Sequence, residues 1–538
     1  MTDLLTAAQM RALETSAMES GQVTGLELME RAGRGVLAAI LSEWPDLQAA
    51  PHKAVVLCGP GNNGGDGFVV ARLLKEWGWW VDVLLYGNPA NLPPDAKRNH
   101  DLWSQLGPVG DVLADLKGPT PWQDADLAVD ALFGTGLTRP LEDLTEVLTI
   151  LADAAERFDR PAARLSSAAA SPRVVAIDIP SGLDADSGKV LEPSHGGLGA
   201  AAANLTVSFH SRKLGHVLSR GPSLCSKTVV ADIGLDRDAP REARKIPAAA
   251  RLVQPPAPAL LHKRSDQHKY DNGHAVILSG PPGAGGAARL AARAALRIGA
   301  GLVSVACEAA AVAEHAARLD AVMIKRLNDA ADLGALLSDE RLNALCLGPG
   351  LGVSRARDLV AAACKAATAR QLVLDADALT AFADAPDDLF AILHSACVLT
   401  PHAGEFARLF PDIAAQLKAA ATQGPAYSKV DAARAAATRA GCVVLLKGPD
   451  TVIAAPSGKA VVNAAVYERA APWLATAGAG DVLSGLICGL LARGLSPFEA
   501  AQTAAWVHSE AARGFGPGLI AEDLPEAVPA VLSALGSA

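Results

Sequence analysis

The chain has 538 residues, which is too many for one ordinary hydrophobic core, so we expect two domains of roughly 250 residues each. Its formal net charge of −9 argues against the basic surface of a nucleic-acid-binding protein and favours small-molecule chemistry. No basic segment followed by an apolar one opens the sequence, and no apolar stretch approaches membrane-spanning length. We therefore expect neither secretion nor membrane insertion.

Cysteine usage predicts a reducing compartment. The eight cysteines show no Cys-x-x-Cys spacing, and several lie inside apolar runs typical of strands. They are interpreted as reduced core residues of a cytoplasmic protein. Before the first of them, apolar residues between Leu4 and Leu41 recur at helical spacing in two segments, which predicts two N-terminal helices.

The first strand, glycine loop and helix are predicted between residues 53 and 77. Lys53–Cys58 has the pattern of a buried strand, and Gly59–Gly67 follows it as a glycine loop suited to holding phosphate. The next strand, Trp80–Tyr86, ends without the acidic residue that ordinarily binds ribose, which disfavours a hydride-transfer dinucleotide domain. A simple Asn-Gly turn is the alternative interpretation of the loop.

Polar residues follow two further predicted strands, Asp126–Asp130 and Arg173–Asp178. The carboxyl ends of parallel strands open on one crevice, so these ends and the glycine loop should meet there. Hard oxygen donors of this kind suit a cation as well as a substrate, although an isolated strand-end aspartate is often only a helix cap. The residues expected together are Asn63, Asp130, Asp178 and Ser181. The segments 204–209 and 228–233 are predicted to extend the sheet.

A charged, proline- and alanine-rich stretch from Leu235 to Pro258 separates the two halves. We place a first domain at 1–238, a linker or entry segment at 239–262 and a second domain at 263–538. The second domain opens with a strand at Ala275–Leu278 and a glycine loop at Gly280–Gly286. Later strands that end in polar or glycine residues start at positions 344, 372, 398 and 443, and this alternation predicts a doubly wound α/β sheet.

The stretch Thr476–Gly485 is predicted to be the phosphoryl-transfer corner of the second domain. Gly478 and Gly480 allow close approach to a phosphate at a helix N-terminus, and Asp481 is the candidate base. An aspartate that merely caps a glycine-rich turn is the alternative. No G-x-x-x-x-G-K-[ST] motif occurs, so Lys447–Thr451 is the second candidate for binding phosphates.

The first half resembles the NAD(P)HX epimerase domain over about residues 1–235, through Asn-Asn-Gly-Gly-Asp-Gly, Asp-x-x-Phe-Gly-Thr-Gly and Asp-Ile-Pro-Ser-Gly-Leu. The resemblance implies a Rossmann-like three-layer α/β fold, a potassium ion on Asn63, Asp130 and Ser181, and Asp178 as a catalytic residue that faces the reacting centre. It also implies a set of substrate-binding residues besides Asp178: Asn62, Asn63, Gly64, Gly65, Asp66, Gly134, Thr135, Gly136, Leu137, Thr138, Arg139 and Pro140.

The second half resembles the ADP-dependent NAD(P)HX dehydratases, which have a ribokinase-like doubly wound α/β fold, over about residues 262–535. The matching motifs are Leu-Asp-Ala-Asp-Ala-Leu, Leu-Thr-Pro-His-x-Gly-Glu-Phe and Lys-Gly-x-Asp-Thr. The resemblance implies substrate contacts at Ala287, Gly350, His402 and the catalytic Asp481. It implies nucleotide contacts at Lys447, Gly448, Pro449, Asp450, Thr451 and Gly480. Two departures from the family pattern are Tyr270, where a glycine is common, and Thr-Ala-Gly-Ala at 476–479.

Together the two resemblances imply a bifunctional repair enzyme that epimerises the R and S hydrates of NADH and NADPH and dehydrates the S form. ADP would be converted to AMP and phosphate, with Mg²⁺ on the nucleotide and K⁺ in the epimerase domain. A small-molecule kinase for a sugar or vitamin precursor, with a non-catalytic N-terminal nucleotide-binding module, is the alternative. We expect a cytoplasmic homo-oligomer whose ligands are NADHX, NADPHX and ADP, without nucleic-acid or membrane partners.

Overall fold

The computed structural model describes residues 3–115, 124–159, 171–235, 249–366 and 370–536. The chain forms two compact units, and the first of them is discontinuous in sequence, because it consists of residues 3–249 and 419–428. The second unit consists of residues 250–418 and 429–538. Residues 239–248 of the predicted linker lie outside the described residues.

The core of the first unit is a seven-stranded sheet in which all neighbours are parallel, in the order β4-β3-β2-β5-β6-β7-β8. Its predicted strands are confirmed to within two residues. The strand β4 escaped prediction because its sequence, Val-Gly-Asp, has no apolar run. The strands of this unit are Asp3–Leu4 (β1), Lys53–Cys58 (β2), Trp80–Leu85 (β3), Val109–Asp111 (β4), Leu127–Ala131 (β5), Arg173–Ile177 (β6), Leu205–Phe209 (β7) and Lys227–Ala231 (β8).

Helices cover this sheet and bury two separate apolar clusters. The two predicted N-terminal helices are confirmed, and each begins with a capping box, at Thr6 and at Thr24. The helices are Ala7–Glu19 (α1), Gly25–Glu43 (α2), Asn62–Glu76 (α3), Pro94–Trp103 (α4), Val112–Asp115 (α5), Thr145–Asp159 (α6) and Gly221–Cys225 (α7).

The predicted glycine loop at 59–67 is shorter than expected, because α3 already begins at Asn62 with Gly61 as its N-cap. The glycines of this stretch serve helix-to-strand packing. A Cβ added to Gly64 would lie 2.0 Å from Gly59 O, and one added to Gly67 would lie 2.6 Å from Ala131 Cβ. Without side chains here, the first turn of α3 lies directly on the sheet, and its free N–H groups face the carboxyl ends of the strands.

The sheet of the second unit contains β9 to β18 in the order β9-β18-β17-β16-β15-β14-β13-β10-β11-β12. Its neighbours are parallel except that β17 runs antiparallel to both β16 and β18. The strand β9 lies inside the segment predicted as a linker, and its three residues are too few to mark a strand in the sequence. The strands are Ala250–Leu252 (β9), His274–Leu278 (β10), Leu302–Cys307 (β11), Met323–Arg326 (β12), Ala344–Leu347 (β13), Gln371–Leu374 (β14), Cys397–Leu399 (β15), Val443–Leu446 (β16), Asp450–Ala454 (β17) and Ala460–Ala464 (β18).

Two helices of the second unit are singled out by the sequence: the helix that contains the predicted phosphoryl-transfer corner and the helix that follows it. The first begins at Ala479, two residues before Asp481, and the second begins with the predicted capping box at Ser496. The helices are Pro258–Leu261 (α8), Gly286–Arg297 (α9), Val312–Ala316 (α10), Ala330–Leu336 (α11), Val353–Cys364 (α12), Asp377–Thr380 (α13), Pro386–Phe390 (α14), Ala403–Leu409 (α15), Pro411–Lys418 (α16), Lys429–Ala440 (α17), Ala479–Ala492 (α18), Pro497–Phe515 (α19) and Asp523–Ala534 (α20).

All eight cysteines are free, and all but Cys364 are buried, as the sequence predicts. Among the residues that the structure describes, no helix combines the length and the apolar composition needed to cross a membrane.

Close packing of α18 on α9 should make Gly485 intolerant of a side chain. A Cβ added there would lie 2.2 Å from Ala291 O, whereas one added to Gly514 in α19 meets nothing within 4 Å. We expect Gly485→Ala to destabilise the second unit by about 1–3 kcal/mol through overpacking. The control Gly514→Ala should stabilise it by up to about 1 kcal/mol through helix propensity. Urea unfolding of both variants measures this, and equal stabilities would contradict the packing argument.

Candidate active sites

Asp178, directly after β6, has a strained backbone at the carboxyl ends of the first unit's strands, where the sequence predicts a crevice. Its φ of 64° lies in the left-handed region that residues other than glycine rarely adopt. His216 Nε2 is 2.8 Å from Asp178 O, while His216 Nδ1 accepts a hydrogen bond from Lys213 N at 2.9 Å. Burial and the Lys213 charge lower the pKa of His216 to about 4. The neutral imidazole therefore donates through Nε2 and holds this backbone conformation.

The side chain of Asp178 forms an ion pair with Lys213, whose side chain is completely buried. Lys213 Nζ donates to Asp178 Oδ1 at 2.8 Å, to Ser208 Oγ at 3.0 Å and to Phe209 O at 3.2 Å. Burial alone would raise the pKa of Asp178, but the Lys213 ammonium outweighs it and the pKa lies below its ordinary value. Sequence reasoning missed Lys213, because no local motif marks it.

A second carboxyl group in this crevice has the opposite protonation preference. Burial, together with the negative charges of Asp178 and Glu14, raises the pKa of Asp66 well above its ordinary value. Burial also raises the pKa of Glu14, on α1, which interacts electrostatically with Lys213 and Asp178. The crevice therefore places a carboxyl group that favours its neutral form near an ionised one, an arrangement typical of paired acid and base groups.

The predicted cation ligands lie around one turn of backbone after β5. Buried Asp130 accepts hydrogen bonds from Ser181 N at 2.8 Å and from Ser181 Oγ at 2.6 Å. Ser181 Oγ in turn accepts from Phe133 N at 2.9 Å. Burial raises the pKa of Asp130, and no ion pair to it occurs among the described residues. A buried carboxylate that lacks a cationic partner and adjoins the Ser181 hydroxyl oxygen fits a monovalent cation.

Asn63 adjoins this cluster through the predicted substrate loop. A Cβ added to Gly134 would lie 2.7 Å from Asn63 Oδ1 and 3.4 Å from Asp178 Oδ2, so both side chains lie close to the start of the loop. Thr135 N also donates to Asp178 Oδ2 at 3.4 Å. The buried Asn63 Nδ2 has no hydrogen-bond partner within the described part of the chain. An unsatisfied buried donor of this kind is available to a ligand.

The remaining predicted substrate residues differ in exposure. Asn62, Gly136, Thr138 and Arg139 are exposed, whereas Leu137 is buried in the apolar cluster that contains α6. Gly64 and Gly65 are buried in helix packing, and a Cβ added to Gly65 would collide with Met29 and Ala96. Their part in the site is therefore limited to the backbone of α3.

The second unit also has a buried ion pair at its centre. Asp375, directly after β14, accepts hydrogen bonds from Lys447 Nζ at 2.8 Å and from Ser484 Oγ at 2.6 Å. Burial would lower the pKa of Lys447, but Asp375 outweighs it and the pKa is raised. Ala376, the next residue, has a left-handed φ of 47°. Lys447, which the sequence assigns to the nucleotide, is thus bound to a carboxylate of the protein.

Asp481 lies in the first turn of α18 and is partly exposed. Burial, with a further contribution from the negative charge of Asp375, raises its pKa to about 6 although Lys447 opposes the shift. Gly478, with φ of 90°, is the N-cap of α18, and no side chain caps the helix. The alternative interpretation of Asp481 as a capping residue is therefore wrong.

A cavity of about 450 Å³ lies beside the N-terminus of α18. Its walls include five of the predicted nucleotide-binding residues, namely Lys447, Gly448, Pro449, Thr451 and Gly480, and are otherwise mainly apolar. Asp450 does not line the cavity and instead binds Lys429 Nζ at 2.6 Å. The Thr451 hydroxyl closes a tight turn by donating to Gly448 O at 2.6 Å. The volume and the mainly apolar lining suit a nucleotide base next to a helix N-terminus.

The predicted substrate residues of the second unit occur in two places. Gly350 and Ala287 are neighbours, since a Cβ added to Gly350 would lie 3.7 Å from Ala287 Cβ. His402 is the N-cap of α15, where its Nδ1 accepts from Gly404 N at 2.9 Å. Glu405 links the two halves of the site, because its carboxylate lies 3.4 Å from His402 Nε2 and 3.9 Å from Lys447 Nζ.

Two α/β units, each with a buried ion pair and a carboxyl group of raised pKa in a crevice, define a two-domain enzyme rather than a scaffold. Residues 25–215 match the family model described as YjeF-related protein N-terminus, and residues 275–523 match that of NAD(P)H-hydrate dehydratase. A bifunctional NAD(P)H-hydrate repair enzyme Nnr from Moorella thermoacetica is 35% identical over 98% of this chain and 96% of its own. The chain belongs to this family of bifunctional NAD(P)H-hydrate repair enzymes.

Two further similarities concern the halves separately. An NAD(P)H-hydrate epimerase from Rhodobacter capsulatus is 45% identical over 44% of this chain and 100% of its own. The crystal structure of an ADP/ATP-dependent NAD(P)H-hydrate dehydratase from Bacillus subtilis, co-crystallised with ATP/Mg²⁺, is 26% identical. It covers 52% of this chain and 96% of its own, with a TM-score of 0.41.

Removing the ammonium of Lys213 should leave Asp178 as a buried, unpaired charge. We expect Lys213→Met to destabilise the first unit by about 3–5 kcal/mol at neutral pH. The lowered pKa of Asp178 means that the pair stabilises the fold above the ordinary pKa of aspartate, and this contribution is lost as the pH falls through the lowered pKa. The deficit should therefore shrink in acid. Urea unfolding against pH measures it, and the double variant Lys213→Met/Asp178→Asn should recover most of the loss.

Proposed function

We propose that the first unit interconverts the R and S hydrates of NADH and NADPH, and that the second unit dehydrates the S form at the expense of ADP. The observation that carries the second assignment is Asp481, whose pKa of about 6 is suited to a base near neutral pH, beside the cavity that Lys447 and Gly480 line. The activities for which the family and its similar members are named support both assignments.

Dehydration needs help because hydroxide is a poor leaving group. Asp481 takes the proton of the substrate hydroxyl while the hydroxyl oxygen attacks the terminal phosphorus of ADP. This step forms a phosphorylated substrate and releases AMP. The ring nitrogen then expels phosphate, and loss of a proton from the neighbouring carbon restores the dihydronicotinamide double bond. The N–H groups of the first turn of α18 and Lys447 would stabilise the charge on the transferred group.

Mg²⁺ would enter this site on the nucleotide. In the part of the chain that the structure describes, no group of three or more His, Cys, Asp or Glu residues could hold a metal ion. Mg²⁺ commonly uses substrate phosphates, water and only one or two carboxylates, so such a cage is not required. The ion would offset the negative charge of the phosphates. The carboxylates available to it are those of Asp481, within Thr476–Gly485, and of Asp375, which accepts a hydrogen bond from Ser484 of that stretch.

The two carboxyl groups of the first unit suit epimerisation at a carbon that carries a hydroxyl and adjoins a ring nitrogen. Neutral Asp66 would give a proton to the departing hydroxyl as the ring nitrogen releases it. Ionised Asp178 would stabilise the resulting cationic ring, and water would return to either face. The added water returns a proton to Asp66, so the cycle consumes no reactant.

Potassium is the cation that we propose for the oxygen cluster of Asn63, Asp130 and Ser181. The support is the buried Asp130 carboxylate, whose pKa is raised because no positive charge compensates its burial. The ion would supply that charge and hold the start of the substrate loop. Homo-oligomerisation and a cytoplasmic location stay predictions from the sequence.

A small-molecule kinase would have the same fold and the same base. Because both halves of the chain match the repair family, the kinase alternative is disfavoured. Product analysis separates the two functions. Mixed R and S hydrates with Mg²⁺ and ADP should give AMP, free phosphate and restored dihydronicotinamide absorbance. A stable phosphorylated product without that absorbance would establish the kinase instead.

Asp481→Asn tests the base directly, because asparagine keeps the size of the side chain but cannot accept the proton. We expect single-turnover dehydration of the S hydrate to fall by about 10²–10⁴-fold, with unchanged epimerisation and near-normal ADP binding. In the wild type, the dehydration rate should fall as the pH drops below about 6, where Asp481 becomes protonated. If a normally folded Asp481→Asn protein dehydrates the S hydrate at the wild-type rate, Asp481 is not the base.

Asp130→Asn tests the cation site, since it removes the charge that K⁺ would balance. We expect epimerisation and its stimulation by K⁺ to be lost together, while ADP-driven dehydration of pure S hydrate stays within about twofold of the wild type. Chromatography of the R and S forms across a KCl titration, with choline chloride at matched ionic strength, makes the measurement. Loss of both activities in a folded protein would contradict separate sites.

A further inference from the structure

Residues 419–428, which we call the strap, belong to the first unit although they come from the second half of the sequence. Ala421 is bridged in parallel fashion to Leu191, and Glu192 N donates to Ala421 O at 2.9 Å. Lys189 Nζ donates to Ala419 O at 3.2 Å. Ala421 is also buried in the apolar cluster of the first unit that contains α6. The strap is thus an integral part of this unit.

The strap contacts the predicted substrate loop, residues 134–140, through Gly424. Gly424 N donates to Thr138 O at 2.9 Å. A Cβ added to Gly424 would lie 3.2 Å from Leu137 O, 3.4 Å from Thr138 Cα and 2.8 Å from Asp184 Oδ2. Backbone therefore lies close to backbone here, and a side chain at this position would require Asp184 and the carbonyl of Leu137 to shift.

The two ends of the loop are held by different elements. At the inner end, Thr135 N donates to Asp178 Oδ2 at 3.4 Å, and Leu137 N closes a turn onto Gly134 O at 3.2 Å. At the outer end, Thr138 O is bound by the strap, and buried Leu137 packs in the cluster that includes Ala421 and adjoins Ala426. The chemistry of Asp178 lies at the inner end, so the strap acts on the part of the loop that is remote from it.

We propose that the strap positions the outer half of the substrate loop and thereby sets the affinity of the epimerase site for the nicotinamide hydrate. This inference rests on the proposed epimerase function of the first unit. Gly424 is a positioning residue, because it acts through Leu137 and Thr138 and touches none of the groups assigned to the chemistry. A displaced outer loop should weaken substrate binding while the protonation of Asp66 and Asp178 stays the same.

The test is Gly424→Val in the full chain, with Gln423→Val as the matched control because Gln423 is exposed on the same segment. We expect KM for epimerisation of the S hydrate without ADP to rise by about tenfold and kcat to change by less than about twofold. The control should keep both constants, and the dehydratase constants should be unchanged in both variants. An unchanged KM, or a fall in kcat alone, in folded Gly424→Val overturns the proposal.

Amide hydrogen exchange of the wild-type chain provides a measurement that no variant's folding affects. Saturation with mixed R and S hydrates, in the absence of ADP, should slow exchange at Gly424, whose N–H binds Thr138 O. If Gly424→Val fails to fold, this measurement decides, and unaltered exchange overturns the proposal. Wild-type protein that does not epimerise at all would instead contradict the proposed function, so the two failures are distinguishable.

Discussion

A buried ion pair between an aspartate at a strand end and a lysine from a later part of the chain lies at the centre of each unit. Asp178 binds Lys213 in the first unit, and Asp375 binds Lys447 in the second. Removing both charges from water costs several kcal/mol per ion, so such pairs persist only when further hydrogen bonds satisfy them. Ser208 supplies one such bond in the first unit, and Ser484 does so in the second.

These pairs also contribute to the pKa of a neighbouring carboxyl group in each unit. The negative charge of Asp178 contributes to the raised pKa of Asp66, and that of Asp375 contributes to the raised pKa of Asp481, after burial in both cases. The lysine in each pair neutralises its own aspartate more than it does the second carboxyl group. The second carboxyl group in each unit, Asp66 or Asp481, therefore retains its proton to a higher pH than an ordinary aspartate.

The parts of this arrangement that follow strand ends could be predicted from the sequence. Asp130, Asp178 and Ser181 each come directly after an apolar run, and a parallel sheet brings such positions together. Lys213 could not be found in this way, because its role depends on burial and on a partner 35 residues away in sequence. The motif around Lys447 lies beside a cavity, but the sequence does not tell which carboxylate the fold brings within reach of this lysine.

The first unit is completed by residues that the ribosome makes long after the rest of it. By the time that residues 419–428 emerge, β9 to β15 of the second unit have already been synthesised. Until then, the apolar cluster that contains Leu137 and Leu191 lacks Ala421 and Ala426. Nascent chains fold from the N-terminus and expose such apolar surface to chaperones or to other chains. The first unit therefore lacks residues 419–428 while the ribosome translates the first part of the second unit.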